Sequence, residues 1–134
     1  VRWQESRSNA AALAAREGPI FLIAPGFVAR DEQGLQTTLG RNGSDFSGAI
    51  FGDLLNAGEI IIWTDVDGVL SADPKIVRGA LVLPQMTYEE AMELSYFGAK
   101  VIHSATIAPA VARRIPILIK NTFNPAAPGT FNLP

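Results

Sequence analysis

Ser44-Asp-Phe-Ser-Gly-Ala-Ile-Phe-Gly-Asp-Leu-Leu-Asn-Ala-Gly-Glu-Ile-Ile-Ile-Trp63 is the stretch on which the fold turns. Its first part predicts a helix capped by Ser44 or Asp45, with Ile50, Phe51, Leu54 and Leu55 as the apolar face, running through Asn56 to a stop at Gly58. Glu59-Ile-Ile-Ile-Trp63 then predicts a strand, because an apolar run without polar alternation suits burial on both faces. Upstream, Ile20-Phe-Leu-Ile-Ala24 is a second such run, closed by Pro25-Gly26. A helix between two buried strands is the crossover unit of a parallel sheet, so an α/β chain is expected.

Working outward, Glu5 to Arg16 is Ala-rich and predicts a helix stopped at Gly18-Pro19. Residues 29–36 read as an exposed turn or hairpin tip, and Asp73-Pro74 opens a connector to Leu83. Thr87 and Glu90 form a capping box for a helix that continues through Tyr96 to Gly98. A short helix over Ile107 to Arg114 and a strand at Ile117-Leu118-Ile119 follow. Trp3, Trp63, Met86 and Met92 read as core or near-core. The order α, β, α, β, α, α, β predicts a single layered αβα sandwich with a mostly parallel sheet.

The chain has 134 residues, 48% hydrophobic and 18% charged, which suits one globular domain. A net charge of -2 disfavours nucleic acid and anionic membranes as partners. The charge is uneven. Five arginines face ten acids through Pro74, whereas six Lys and Arg face three Glu beyond it, so cations for a phosphate would come from the second half. No cysteine is present, no apolar run is long enough to span a bilayer, and no signal-peptide pattern opens the chain, which together read as cytoplasmic. The start at Val1 and the end at Pro134 read as cuts from a longer parent.

Polar chemistry concentrates at Gly40-Arg-Asn-Gly-Ser-Asp45, where a helix start offers unpaired amides and a partial positive charge while Arg41 adds a fork for a carboxylate or phosphate. Asp45 opposes an anion there, so its expected part is to organise cations. Thr64-Asp-Val-Asp-Gly-Val69 sits at a strand's carboxyl end, where open α/β sheets hold ligands. Its likeness to a dehalogenase-type phosphatase motif fails, because Val69 stands where that motif needs threonine and no Asp follows Asp73. A calcium loop fails at Val69 and Leu70. Neither a P-loop nor a Gly-x-Gly-x-x-Gly nucleotide fingerprint occurs. Lys100 follows a glycine at a helix end and reads as either a cleft lysine or a solvated one. His103, the sole histidine, reads as structural. Lys120-Asn-Thr122 reads as a pocket lining or a turn start.

Six motifs occur together and in order: Gly26-Phe-Val28, Thr38-Leu-Gly-Arg-Asn-Gly-Ser-Asp45, Ile62-Trp-Thr-Asp-Val-Asp-Gly68, Ala72-Asp-Pro74, Glu93-Leu-Ser-Tyr-Phe-Gly-Ala-Lys-Val-Ile-His103 and Asn124-Pro-Ala-Ala-Pro-Gly-Thr130. Over residues 18 to 130 the chain resembles the aspartate kinases of the amino-acid-kinase superfamily, and among them the kinase half of the bifunctional aspartokinase–homoserine dehydrogenases. The resemblance implies an amino-acid-kinase-like fold, with residues 1–134 as the carboxy-terminal, ATP-binding portion of its catalytic domain. The family's opening Lys-Phe-Gly-Gly-Thr segment, its amino-terminal lobe, its ACT modules and the dehydrogenase domain are expected in the parent.

The implied reaction is ATP-dependent phosphorylation of the L-aspartate side chain to 4-phospho-L-aspartate, with Mg²⁺ accompanying ATP and no protein-ligated metal. By resemblance Asp45 and Lys100 are catalytic, and Phe27, Arg41, Gly43 and Ser44 hold aspartate. Thr64, Asp65, Leu70, Lys75 and Lys100 surround the nucleotide. Leu70 stands where an aromatic is common, Lys75 where arginine is usual, and Ser104 where proline is usual. A homo-oligomeric parent is expected, with little turnover from this piece alone. The alternatives are a non-catalytic nucleotide-binding or assembly module, or another amino-acid or carbamate kinase of the superfamily.

Overall fold

A computed structural model describes residues 1–15, 21–96 and 104–133. In chain order the elements are α1 (Trp3–Ala14), β1 (Val28–Arg30), β2 (Gln36–Thr38), α2 (Gly43–Leu54), β3 (Ile60–Thr64), β4 (Gln85–Thr87), α3 (Tyr88–Tyr96), α4 (Ser104–Ala112), β5 (Ile117–Asn121) and β6 (Thr130–Leu133). Four strands form a sheet in the order β3-β5-β6-β4. β3 runs parallel to β5 from Ile60 opposite Ile117 to Thr64 opposite Asn121, β4 runs parallel to β6, and β5 and β6 are antiparallel. The sheet is thus mostly parallel and the fold class is α/β, as the sequence predicts.

Period-two alternation sorts the sheet into two faces. Ile60, Ile117, Ile119 and Met86 join Ala49 of α2, Ala91 of α3 and Ile107 and Ala110 of α4 in one apolar core. Each isoleucine-sized side chain so buried contributes about 1.5–3 kcal/mol. The phenol of Tyr88 reaches the same core and donates to the carbonyl of Ile115. The capping box is formed: the Thr87 amide donates to Glu90 at 2.7 Å and the Glu90 amide to the Thr87 hydroxyl at 3.2 Å.

Several expectations need correction. Residues 21–24 form no strand, and Phe21 and Ile23 are 97% and 100% exposed, while Ile20 lies outside the described residues. β3 is an edge of the sheet, and among the described residues no strand offers that run its hydrogen bonds. Residues 29–36 do form the expected hairpin tip, between β1 and β2, turning through Asp31, whose carboxylate accepts from the amides of Gln33 and Leu35.

α2 starts at Asn42 in the left-handed conformation, with φ of 56°, rather than at a Ser44 or Asp45 cap. Its buried face is made of small residues, Gly43, Ser47, Ala49 and Gly52, with Ile50 and Asp53, whereas Phe51 and Leu55 face out. Small residues win because the helix lies close to the sheet: a Cβ on Gly52 would fall 2.8 Å from Ile60 Cγ1. The helix stops before Gly58, with Asn56 at φ of 51° and the Ala57 amide bonded to the Gly52 carbonyl at 2.9 Å, a Schellman ending. Trp63 and Met92 are 51% and 38% exposed rather than core, since Trp63 falls on the sheet face opposite Ile60 and Ile62. β4 and β6, unexpected from the sequence, complete the sheet.

Candidate functional site

α2 packs its carboxyl end, at Gly52, against the start of β3 at Ile60. A helix that leads through a short turn into a strand of the sheet it covers ordinarily runs antiparallel to that strand, which places the start of α2 toward the carboxyl ends of β3 and β5, where open α/β sheets hold ligands. Both polar motifs of the sequence meet this end.

At the start of α2 the left-handed Asn42 turns the chain so that Gly43 is buried while Arg41 and Ser44 face solvent. Gly43 must be glycine: a Cβ would fall 2.7 Å from the Phe27 ring and 3.2 Å from Leu39. Phe27 itself has φ of 71°. Its amide donates to Ser47 Oγ at 2.8 Å and its carbonyl accepts from the Leu39 amide at 2.8 Å. Gly26 passes over Ser44 closely enough that a Cβ would meet Ser44 Cα at 3.4 Å. Asp45, in the first turn, is half-buried, and loss of hydration pushes its carboxyl up from the usual range.

At the strand ends, Thr64 Oγ1 accepts from the Val66 amide at 3.1 Å and Asp65 is exposed. Asp67 is tied to the β5 side, accepting from Asn121 at 2.8 Å and Asn124 at 3.1 Å. Leu70 pairs with Val82 across the connector, and Lys75 follows an Asx-turn in which Asp73 accepts the Lys75 amide at 2.8 Å. Among the described residues, no hydrogen bond or ion pair joins Leu70 or Lys75 to Arg41, Ser44 or Asp45. Lys100 and His103 lie outside the described residues. Lys120 projects on the outer sheet face, 5.8 Å from the centre of the Trp63 ring.

So Phe27, Gly43 and Ser44 come together at the start of α2, and Thr64, Asp65 and Asp67 gather beside Asn121 and Asn124 at the ends of β3 and β5. Asn121, expected as a pocket lining or a turn start, bonds Asp67 and accepts the Phe123 amide of the turn that follows, whereas the geometric parts of Ser47 and Asn124 have no counterpart in the sequence reading. The signal for Ser47 was its place four residues after Gly43, on the same helical face. A separate cavity of about 680 Å³, lined by Trp3, Arg7, Phe46, Asp53, Pro109 and Arg113 among others, holds none of the expected site residues. Among the described residues no three His, Cys, Asp or Glu side chains assemble as a metal cage.

The sequence profile of the amino acid kinase family matches residues 1–121. The chain belongs to the amino acid kinase family. This amino acid kinase chain is 56% identical over 110 residues to a chloroplastic bifunctional aspartokinase/homoserine dehydrogenase of Arabidopsis thaliana, covering 82% of the chain and 12% of that relative. It is 50% identical over 130 residues to the bifunctional aspartokinase/homoserine dehydrogenase of Haemophilus influenzae, covering 97% of the chain and 16% of the relative. The chain thus spans a small fraction of these curated relatives. Among solved structures it superposes on aspartate kinase of Clostridium acetobutylicum with a TM-score of 0.78 at 44% identity, covering 81% of this chain and 25% of that one. The E. coli aspartokinase III in complex with aspartate and ADP gives 0.75 at 41% identity, over 81% and 24%. UMP kinase of Bacillus anthracis, at 19% identity and a TM-score of 0.60, shares the fold.

Proposed function

We propose that the parent of this chain is an aspartate kinase, transferring the γ-phosphoryl group of Mg-ATP to the side-chain carboxylate of L-aspartate to give 4-phospho-L-aspartate. Residues 1–134 would be the carboxy-terminal portion of its catalytic domain. The observation that carries the reading is the likeness of the chain to an aspartokinase solved with aspartate and ADP, at 41% identity and a TM-score of 0.75, together with the polar groups clustered at the start of α2 and at the ends of β3 and β5.

Phosphoryl transfer needs positioning and charge neutralisation more than a covalent nucleophile. Arg41, exposed beside the amides of the helix start, grips the α-carboxylate of aspartate, with Phe27, Gly43 and Ser44 forming its seat. Asp45 holds the cationic side chains that face the transferring phosphoryl group, Lys100 among them. Thr64, Asp65, Leu70 and Lys75 take the nucleotide side. Mg²⁺ enters as part of the nucleotide substrate. The parent is read as cytoplasmic and homo-oligomeric; no described helix is long and apolar enough to cross a membrane.

The test is aspartate-dependent ADP release by the full-length parent. Arg41→Ala is expected to lower kcat/KM for aspartate by about 100-fold or more, the scale of losing a charged substrate clamp. Nucleotide binding without aspartate-dependent turnover would replace this reading with a non-catalytic nucleotide module.

A further inference from the structure

We infer that Ser47, which no part of the proposed chemistry uses, is a positioning residue for the aspartate seat, acting through a strained turn at Phe27. This rests on the aspartate kinase reading. The Val28 amide bonds back to the Gly26 carbonyl at 2.9 Å across a central residue with φ of 71°. That is a γ-turn of the positive-φ kind, which is rare and strained and which a phenylalanine adopts only under constraint. Such a conformation persists only where its surroundings over-determine it.

Ser47 is the constraint from the helix side. It is 6% exposed, its hydroxyl hydrogen is committed to the Gly43 carbonyl at 2.8 Å, and its oxygen is thereby turned to accept the Phe27 amide, also at 2.8 Å. The Leu39 amide holds the other side of the turn through the Phe27 carbonyl. One hydroxyl thus links the first turn of α2 to the backbone at Gly26 and Phe27, which lies over Ser44. That link fixes the Gly26–Phe27 backbone against the Gly43–Ser44 turn, and it is the rim of this packed junction, beside the exposed Arg41 and Ser44, that the substrate's carboxylate would meet. Among the described residues no hydrogen bond joins Ser47 to Thr64, Asp65 or Lys75, so its effect is expected to fall on one substrate and not the other.

The experiment is steady-state kinetics of the full-length parent with Ser47→Ala and Ser47→Thr, alongside hydrogen exchange of the segment containing Phe27 and Val28. Ser47→Ala is expected to raise KM for aspartate about tenfold while leaving KM for ATP within twofold and speeding exchange at the Phe27 amide. Ser47→Thr, which keeps the hydroxyl, restores both. Equal rises in the two KM values, or an unchanged aspartate KM despite faster exchange, overturn the positioning role. Unchanged exchange in Ser47→Ala overturns the link itself. A wild-type parent without aspartate-dependent turnover sinks the functional reading, and the exchange result still judges the link.

Discussion

The two faces of the sheet differ in a way that single strands make plain. In β6, Thr130 and Asn132 are fully buried on the helix side, whereas Phe131 and Leu133 are 38% and 37% exposed on the other. β3 repeats the contrast, with Ile60 buried and Ile61 and Trp63 facing out. A strand that turns its polar residues inward and its apolar ones outward does not follow the usual alternation of a half-covered sheet. The inward polar groups are largely satisfied. Thr130 accepts the Val69 amide at 2.8 Å and donates to the Leu83 carbonyl at 2.6 Å, and Asn132 donates to the Ile117 carbonyl at 3.3 Å. The outward residues have the composition of a face that is also to be covered. The lesson is that the sheet is written for two covered faces, and the helices α2, α3 and α4 cover one.

The largest expected effect tests that contrast directly. Ile117→Ala should destabilise the chain by about 2–5 kcal/mol in urea unfolding, the range for emptying a packed site. Ile61→Ala, one register position away on the outer face, should cost less than about 1 kcal/mol. Equal costs would mean that the outer face is already covered in solution, and a concentration-dependent midpoint would show a second copy doing so.

A middling effect is expected at Thr130. Thr130→Val keeps the shape and adds a methyl to an apolar face, yet it strips a partner from the Val69 amide and the Leu83 carbonyl. The expected cost is about 1–3 kcal/mol. A stabilised variant would show that the inward polarity of β6 is incidental rather than structural.

The smallest effect is at the rim, where burial penalises a charge. A carboxyl whose folded value is raised stabilises the fold while protonated, and that contribution is lost as pH rises through the raised value. Asp45→Asn should therefore stabilise the chain at neutral pH by less than about 1 kcal/mol, since the group is half in solvent. The gain should vanish near pH 3, below the ordinary carboxylate range. Thermal unfolding at both pH values checks it; an equal gain at the two would remove ionisation as the cause. In the parent the same change should abolish turnover.

Much of this was legible from periodicity. β3, β5, the hairpin tip, the capping box and the α/β class follow from apolar runs and local hydrogen-bonding residues, which act over a few positions. What was hidden depends on partners far along the chain. Ile20-Phe-Leu-Ile-Ala24 has a strand's composition, but a strand needs a neighbour's amides and carbonyls. β4 and β6 have three and four residues, too short for a pattern, and β6 reads inside out. For Trp63 the place in the strand alternation, not the residue type, decides its exposure. At the site, Arg41, Gly43 and Ser44 were visible as a motif, while the positive φ of Phe27 was not, because a bulky residue gives no local sign of a left-handed turn.

The carboxylate of Asp53 shows how unevenly the layers are fastened. It accepts two hydrogen bonds from Arg7 of α1 at 3.0 Å and one from Arg113, just past α4, at 2.6 Å. α1 buries only Ala10, and Arg7 also lies 5.5 Å from the centre of the Trp3 ring. The attachment of this first helix is therefore mostly ionic, while the helices on the sheet are held by apolar packing. Because Asp53 is only 7% exposed, salt screens this attachment less than it would a surface pair, and removing the carboxylate loosens it more than ionic strength does. In hydrogen exchange α1 is accordingly expected to open first, as a local unit, ahead of the sheet and the helices packed on it.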